Sequence, residues 1–179
     1  APQEQVIGAV GYLLCSLGTA VLYYGTEQGF QGRGGDNQIR EAMFDRNTPG
    51  VNLLNTGCTI YQEVAKIAAV MRAREPLRFG RMYFRQISGD GVAFGFPYGS
   101  TYTLAFSRLL CGSEVLVAYN VSADPRADCV VVDADLHRPG DTMTYLYPAG
   151  KGTVAVERAP GGALFVRLRL DGRQFAILG

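Results

Sequence analysis

The 179-residue chain carries 17 Lys and Arg against 16 Asp and Glu, a net charge of +1, with 47% hydrophobic residues. That is enough to bury a core, as one large or two small domains, and it excludes the basic stripe that nucleic acid or anionic lipid requires. Four cysteines, at 15, 58, 111 and 129, form no CxxC pair and have no histidine nearby, so they predict buried free thiols, with no disulfide scaffold, metal or cofactor.

Residues 6–24, VIGAVGYLLCSLGTAVLYY, hold no charge and reach about the 20 residues of a membrane span. Gly8, Gly11 and Gly18 interrupt the run and no Lys or Arg flanks it. A buried helix followed by a buried strand gives the same hydropathy, so no membrane partner is expected. Glu4 stands where a signal peptide would need a basic region. The sequon Asn120-Val121-Ser122 matters only in a secretory pathway, of which the chain gives no other sign.

In chain order, residues 4–17 read as a helix apolar on nearly every face. Gly18 stops it, and residues 19–24 form a short apolar run expected to be a strand covered on both faces. Residues 25–57 are glycine-rich and polar, a long loop with at most one helical turn and the length of a functional one. A second helix spans 59–75: Thr59 and Gln62 make a capping-box pattern, Ile60, Val64, Ile67, Ala68 and Met71 recur on one face, and Pro76 ends it.

The period then changes to two. In EVLVAYN, Val115, Val117 and Tyr119 face one way, and in VRLRL, Arg167 and Arg169 alternate with Val166, Leu168 and Leu170. Turn signals at SADPRAD, HRPGD, PAGKG, APGG and DGR separate about eight such strands, the pattern of an antiparallel β-sandwich or barrel. A boundary falls near Gly80. The α-β-α segment before it is too small to stand alone, because one parallel strand needs neighbours to pair with.

In order, GTAVLYYGTEQGF, GGDNQIREAMF and AKIAAVMRAREPLRFGRMYFR resemble the end of the alpha-amylase family of glycoside hydrolases, and FGFPYGSTYTLAFSRLLCGSEVLVAYN resembles the start of that family's antiparallel domain C. Ala20 and Asn37 stand where many members have proline. The resemblance implies a mainly β chain: residues 1–80 the last part of a (β/α)8 barrel, with helix 7, strand 8 and helix 8, and residues 81–179 a Greek-key β-sandwich. It implies that the missing barrel portion of the parent is a partner and that the parent acts on an alpha-glucan or oligosaccharide. Retaining glycosidases need two carboxyl groups about 5 Å apart. In this family those two, and a third carboxylate that grips the sugar, lie at the ends of strands four, five and seven, so catalytic residues are expected to be absent here and this chain alone inactive.

What the resemblance carries onto this chain is one rim loop. Asp36 and Arg40 match an aspartate and an arginine that bind glucosyl hydroxyls, a carboxylate and a planar fork suited to vicinal diols, with Glu27 a third, weaker candidate. Each also reads as ordinary solvated surface. His137 lies in the turn DLHRPGD without a nucleophile beside it, so no triad is expected. GRGGD lacks the end of a phosphate loop. Tyr98 and Tyr102 read as packing in preference to sugar stacking. A free-standing glucan- or protein-binding β-sandwich is the competing reading, opposed by the absence of tryptophan. The orphan strand and apolar helix predict a homodimer through residues 5–30.

Overall fold

The computed structural model describes residues 2–32, 34–36, 42–44, 53–99 and 101–179. Three α-helices precede the sheet: α1 (Gln3–Cys15), α2 (Thr59–Ala73) and the short α3 (Glu75–Phe79). Nine antiparallel strands follow: β1 (Arg81–Phe84), β2 (Ile87–Ser88), β3 (Thr103–Leu110), β4 (Ser113–Asn120), β5 (Arg126–Val131), β6 (Thr142–Tyr147), β7 (Thr153–Arg158), β8 (Leu164–Leu170) and β9 (Phe175–Leu178). They hydrogen-bond in the order β1-β3-β4-β9-β6-β7-β8-β5-β2. Hairpins join β6, β7 and β8, and β9 returns beside β6, which is the Greek key. The expected mainly β architecture is present.

The sheet curls over on itself. Its concave side encloses Leu116 and Ala118 of β4, Ala176 and Leu178 of β9, and Val166 and Leu168 of β8. On its convex side β3, β4, β6 and β9 carry a second core, where Phe106, Val115, Val117, Tyr147 and Ile177 meet Ile7 and Val10 of α1, Ile60, Val64 and Ile67 of α2, and Leu77 of α3. Both expected alternations hold: Val115, Val117 and Tyr119 face the helices, and Arg167 and Arg169 face solvent while Val166, Leu168 and Leu170 are buried. Covered on both sides, β4 and β9 are apolar almost throughout.

Glycine sets the helix-to-sheet distance. The helix runs through Gly8 and Gly11 without a break, and both are pressed onto the sheet: a methyl group at Gly8 would overlap the Tyr119 ring, and one at Gly11 the Phe175 ring. Two residues read as interruptions are thus contact points. Helix α2 starts where expected, but Cys58 is its N-cap and no side chain caps it. Gln62 reaches back to the Thr56 carbonyl and makes no capping box. Helix α2 ends at Ala73, short of the expected 75, and Pro76 lies in the first turn of α3, where its missing N–H costs nothing.

The expected strand at 19–24 is not formed. Residues 19–23 lie outside helix and ladder, and Leu17, Val21 and Tyr23 are 68%, 79% and 59% exposed. An extended segment becomes a strand only when neighbours accept its N–H and C=O groups, and residues 19–23 join no ladder among the described residues. The cysteines are all free, Cys15 and Cys129 buried as expected. Cys111 is instead exposed, at φ 47° in the tight turn joining β3 to β4. Among the described residues, no helix is long and apolar enough to cross a membrane.

One side chain ties helices to sheet. Arg108 of β3, 1% exposed, points to the helix side. Its Nη1 donates to the carbonyls of Cys15 and Ser16, both at 2.7 Å, while Nη2 and Nε donate to Gly80 O at 2.8 and 3.2 Å. These oxygens close the C-terminal ends of α1 and α3, where the helix dipole favours a cation. Burial lowers the basicity of the guanidinium, and the carbonyls supply what water would. Replacing Arg108 by Ala leaves buried carbonyls unmet at about 1–3 kcal/mol each, so urea denaturation of Arg108→Ala is expected to show a loss of about 3–5 kcal/mol. A loss below about 1 kcal/mol would mean that water replaces the guanidinium.

Candidate functional site

The loop after α1 is fixed at one end. Residues Thr26–Gln28 form a 3-10 turn between Gly25 (φ 82°) and Gly29 (φ 73°), both left-handed. Phe30 N–H and Gln28 N–H return to Gly25 O at 3.0 Å, closing the loop on itself. Gln28 Oε1 accepts the Asn55 N–H at 2.7 Å, and the Cys58 thiol donates to Glu27 O at 3.4 Å, so the turn is docked on the start of α2. The Gln28 Nε2 is buried without a partner among the described residues.

Of the three candidate residues, Glu27 sits half-buried in the 3-10 turn and Asp36 lies exposed in a later turn. Arg40 lies outside the described residues, and no contact joins Glu27 to Asp36 among those described. The expected loop with at most one helical turn agrees with the described part of 25–57. No three His, Cys, Asp or Glu side chains come together around a possible metal position among the described residues.

The charged cluster of the sheet lies elsewhere. Glu114 of β4, with its side chain buried, accepts four bonds: from Arg85 Nη2 at 2.9 Å, Asp133 N–H at 2.9 Å, His137 Nε2 at 2.8 Å and the Ser107 hydroxyl. Arg85 also reaches Asp133 Oδ2 at 3.1 Å and Ser107 Oγ at 2.7 Å. Burial pushes the Glu114 carboxyl up, but the bonds from His137, Ser107 and Asp133, with the Arg85 charge, outweigh it and hold it below the usual range. The Glu114 bond in turn raises His137 against the opposing effect of burial. Ser, Glu and His meet here with the carboxylate in the middle. A nucleophile needs the imidazole there, to take the serine proton; here the carboxylate ties the turn after β5 to β3 and β4.

A second polar tie joins α2 to β6, where Tyr147 Oη donates to Glu63 Oε2 at 2.8 Å. Burial, followed by this bond, drives the phenol well above its ordinary pKa.

Packing accounts for only one of the two tyrosines singled out. Tyr102 is half-buried, but Tyr98 is 93% exposed and outside any strand. The signal was local: Pro97 and Gly99 flank it, and a tyrosine between two turn formers does not share the alternation of a strand.

No family model matches the chain. Over 122 residues it is 27% identical to an alpha-amylase of Streptomyces lividans, a stretch that covers 60% of this chain and 12% of that protein. Among solved structures, an alpha-amylase from Geobacillus thermoleovorans complexed with acarbose aligns at TM-score 0.69 and 16% identity over 99% of this chain and 33% of its own. A gamma-CGTase from alkalophilic Bacillus clarkii aligns at 0.71 and 18% over 99% and 23%, and an Anoxybacillus alpha-amylase at 0.66 and 19% over 99% and 32%. The chain thus spans about a third or less of the length of these relatives.

The charge cluster has a pH signature. His137, the single histidine, faces Glu114, Asp133 and Asp141, so its folded pKa is raised, and the stability it contributes is complete below the unfolded value near 6.5 and lost as pH rises through the folded value. Glu114 is depressed, so its contribution is present above about 4.5 and lost as pH falls through its folded value. The cluster stabilises most between about pH 4.5 and 6.5. The melting temperature is expected to fall between pH 6 and 8, with His137→Gln flattening that slope; an equal slope in the variant would assign it elsewhere.

Proposed function

From a chain that is part of the alpha-amylase family of glycoside hydrolases, we propose a non-catalytic role: residues 1–80 close the barrel of a parent enzyme acting on alpha-glucosides, and residues 81–179 are its carboxyl-terminal β-sandwich domain. The observation that carries this reading is the open apolar segment around residues 13–24. Leu13, Leu17, Val21, Leu22, Tyr23 and Tyr24 are exposed while the residues on the other side of α1 are buried, and residues 19–23 join no ladder among the described residues. Contiguous apolar surface of this kind marks a face that another body covers. The missing barrel supplies both needs, since flanking strands pair with residues 19–24 and neighbouring helices cover α1.

In that parent the docked turn presents Glu27, and the loop after it Asp36 and Arg40, to glucosyl hydroxyls. On this reading the parent's barrel supplies the pair of carboxyl groups that glycoside cleavage needs, and one rim loop cannot build a transition-state site.

Assayed alone with maltoheptaose and an aryl alpha-glucoside, the chain is expected to show no turnover. Activity that survives repurification and is lost in Asp36→Ala would sink the non-catalytic role. Without its barrel the same face meets a second copy, so light scattering at micromolar concentration is expected to report a dimer through residues 5–30 and a monomer for Leu17→Glu combined with Val21→Glu. In the full-length parent, Arg40→Ala is expected to lower kcat/KM by about 1–3 kcal/mol of transition-state binding; an unchanged value would make the arginine structural.

A further inference from the structure

The sequon Asn120-Val121-Ser122 has no part in the barrel-closing role. A sequon usually marks a surface loop, but Asn120, the last residue of β4, is 0% exposed and Ser122 5%. The Asn120 backbone pairs with Thr103 of β3 and donates its N–H to Gln174 O at 3.0 Å. Its side chain is committed as well. Nδ2 donates to Asp124 O at 2.9 Å and Asp171 O at 2.8 Å, with Leu170 O farther off at 3.4 Å, and Oδ1 accepts the Ser122 N–H at 3.0 Å. The Ser122 hydroxyl in turn accepts the Asp124 N–H at 3.1 Å.

Asp124 lies in the turn from β4 to β5, and Asp171 in the turn from β8 to β9. One amide therefore staples two turns that are remote in sequence. The turns also meet backbone to backbone. A methyl group at Gly172 would overlap the Ala123 carbonyl, and Arg173 takes a left-handed φ of 58° while its N–H donates to Ser122 O at 2.8 Å.

A side-chain amide nitrogen has two N–H donors, and the carbonyls of Asp124 and Asp171 occupy both. Glycan transfer from a lipid-pyrophosphate oligosaccharide forms a bond from sugar C1 to Nδ2 and breaks the C1–O bond to the pyrophosphate, which leaves with its lipid. One amide proton passes to a base of the transferase. The modified nitrogen keeps a single donor, and the sugar needs room where backbone already rests on backbone. We propose that Asn120 is a folding staple whose two uses exclude each other: the unfolded chain offers it as a glycan acceptor, and the folded chain holds it out of a transferase's reach. A chain glycosylated there before β4 meets β9 cannot seat the two turns, so in a secretory host the motif would compete with folding. The staple geometry alone carries this inference, which stands apart from the barrel-closing role.

An oligosaccharyltransferase with its lipid-linked donor is offered the folded chain and, beside it, a peptide of residues 115–126, and the mass of each product is read. The peptide is expected to gain a glycan and the folded chain none. A folded chain modified at Asn120 at a rate near the peptide's overturns the proposal, and so does a peptide left unmodified. The staple itself is tested by Asn120→Asp, which keeps the side chain's size but has no proton to donate at neutral pH. Its melting temperature is expected to fall by about 5–10 °C, a deficit against the native chain that shrinks from about pH 7 to pH 5 as the carboxyl regains a proton. Ser122→Ala removes the acceptor signal, leaves Nδ2 in place and is expected to melt within a few degrees of the native chain. Failure of Asn120→Asp to fold at pH 7 counts as the same loss when Ser122→Ala folds; an unchanged melting temperature in Asn120→Asp overturns the staple.

Discussion

A positive charge that has no carboxylate partner among the described residues ties the helices to the sheet. Arg108 enters the layer between helices and sheet, where a lone guanidinium is costly, and it is tolerated because three backbone carbonyls at two helix ends are turned toward it. The dependence runs both ways: the ends of α1 and α3 need donors they cannot obtain from water, and Arg108 needs acceptors. Each helix terminus is thereby fixed to one point on β3. The apolar layer then sorts around that point, Phe106 and Ile67 on either side of it becoming wholly buried.

Much of this was legible from periodicity. Helix α2 and the alternating strands after residue 80 carry the spacing of one buried face, and a buried face is a local pattern that a short stretch of sequence displays. Residues 19–24 show the opposite case. Their composition is that of a central strand, yet strand formation belongs to pairs of segments, and hydrogen-bonding neighbours cannot be read from six residues. Cap chemistry at Thr59 was missed for a related reason: the capping-box pattern states what could bond, while the chain entering from Cys58 decides what does.

Arg108 was itself open to detection. In FSRLL it shares strand parity with Phe106, so an alternation that buries the phenylalanine also buries the arginine. Glu114 shares parity with Leu116 and Ala118 in the same way. A charge on the buried face of a strand has to be matched by polar groups arriving from elsewhere, and the matching groups here come from helix ends in one case and from residues 85, 107, 133 and 137 in the other. Of the rim candidates, Glu27 and Asp36 gave no such internal signal. They were reached through resemblance alone, because a polar loop has no packing period from which a role could be read.

The contact of Gly8 and Gly11 with the rings of Tyr119 and Phe175 has a mechanical meaning. Where two surfaces meet through side chains, rotamer changes let them slide; where backbone rests on the face of a ring, no slack exists to be taken up. At these two points the packing of α1 on the sheet has no room for even a methyl group. Whatever grips the outer side of α1 would therefore act on the sheet through these two contacts.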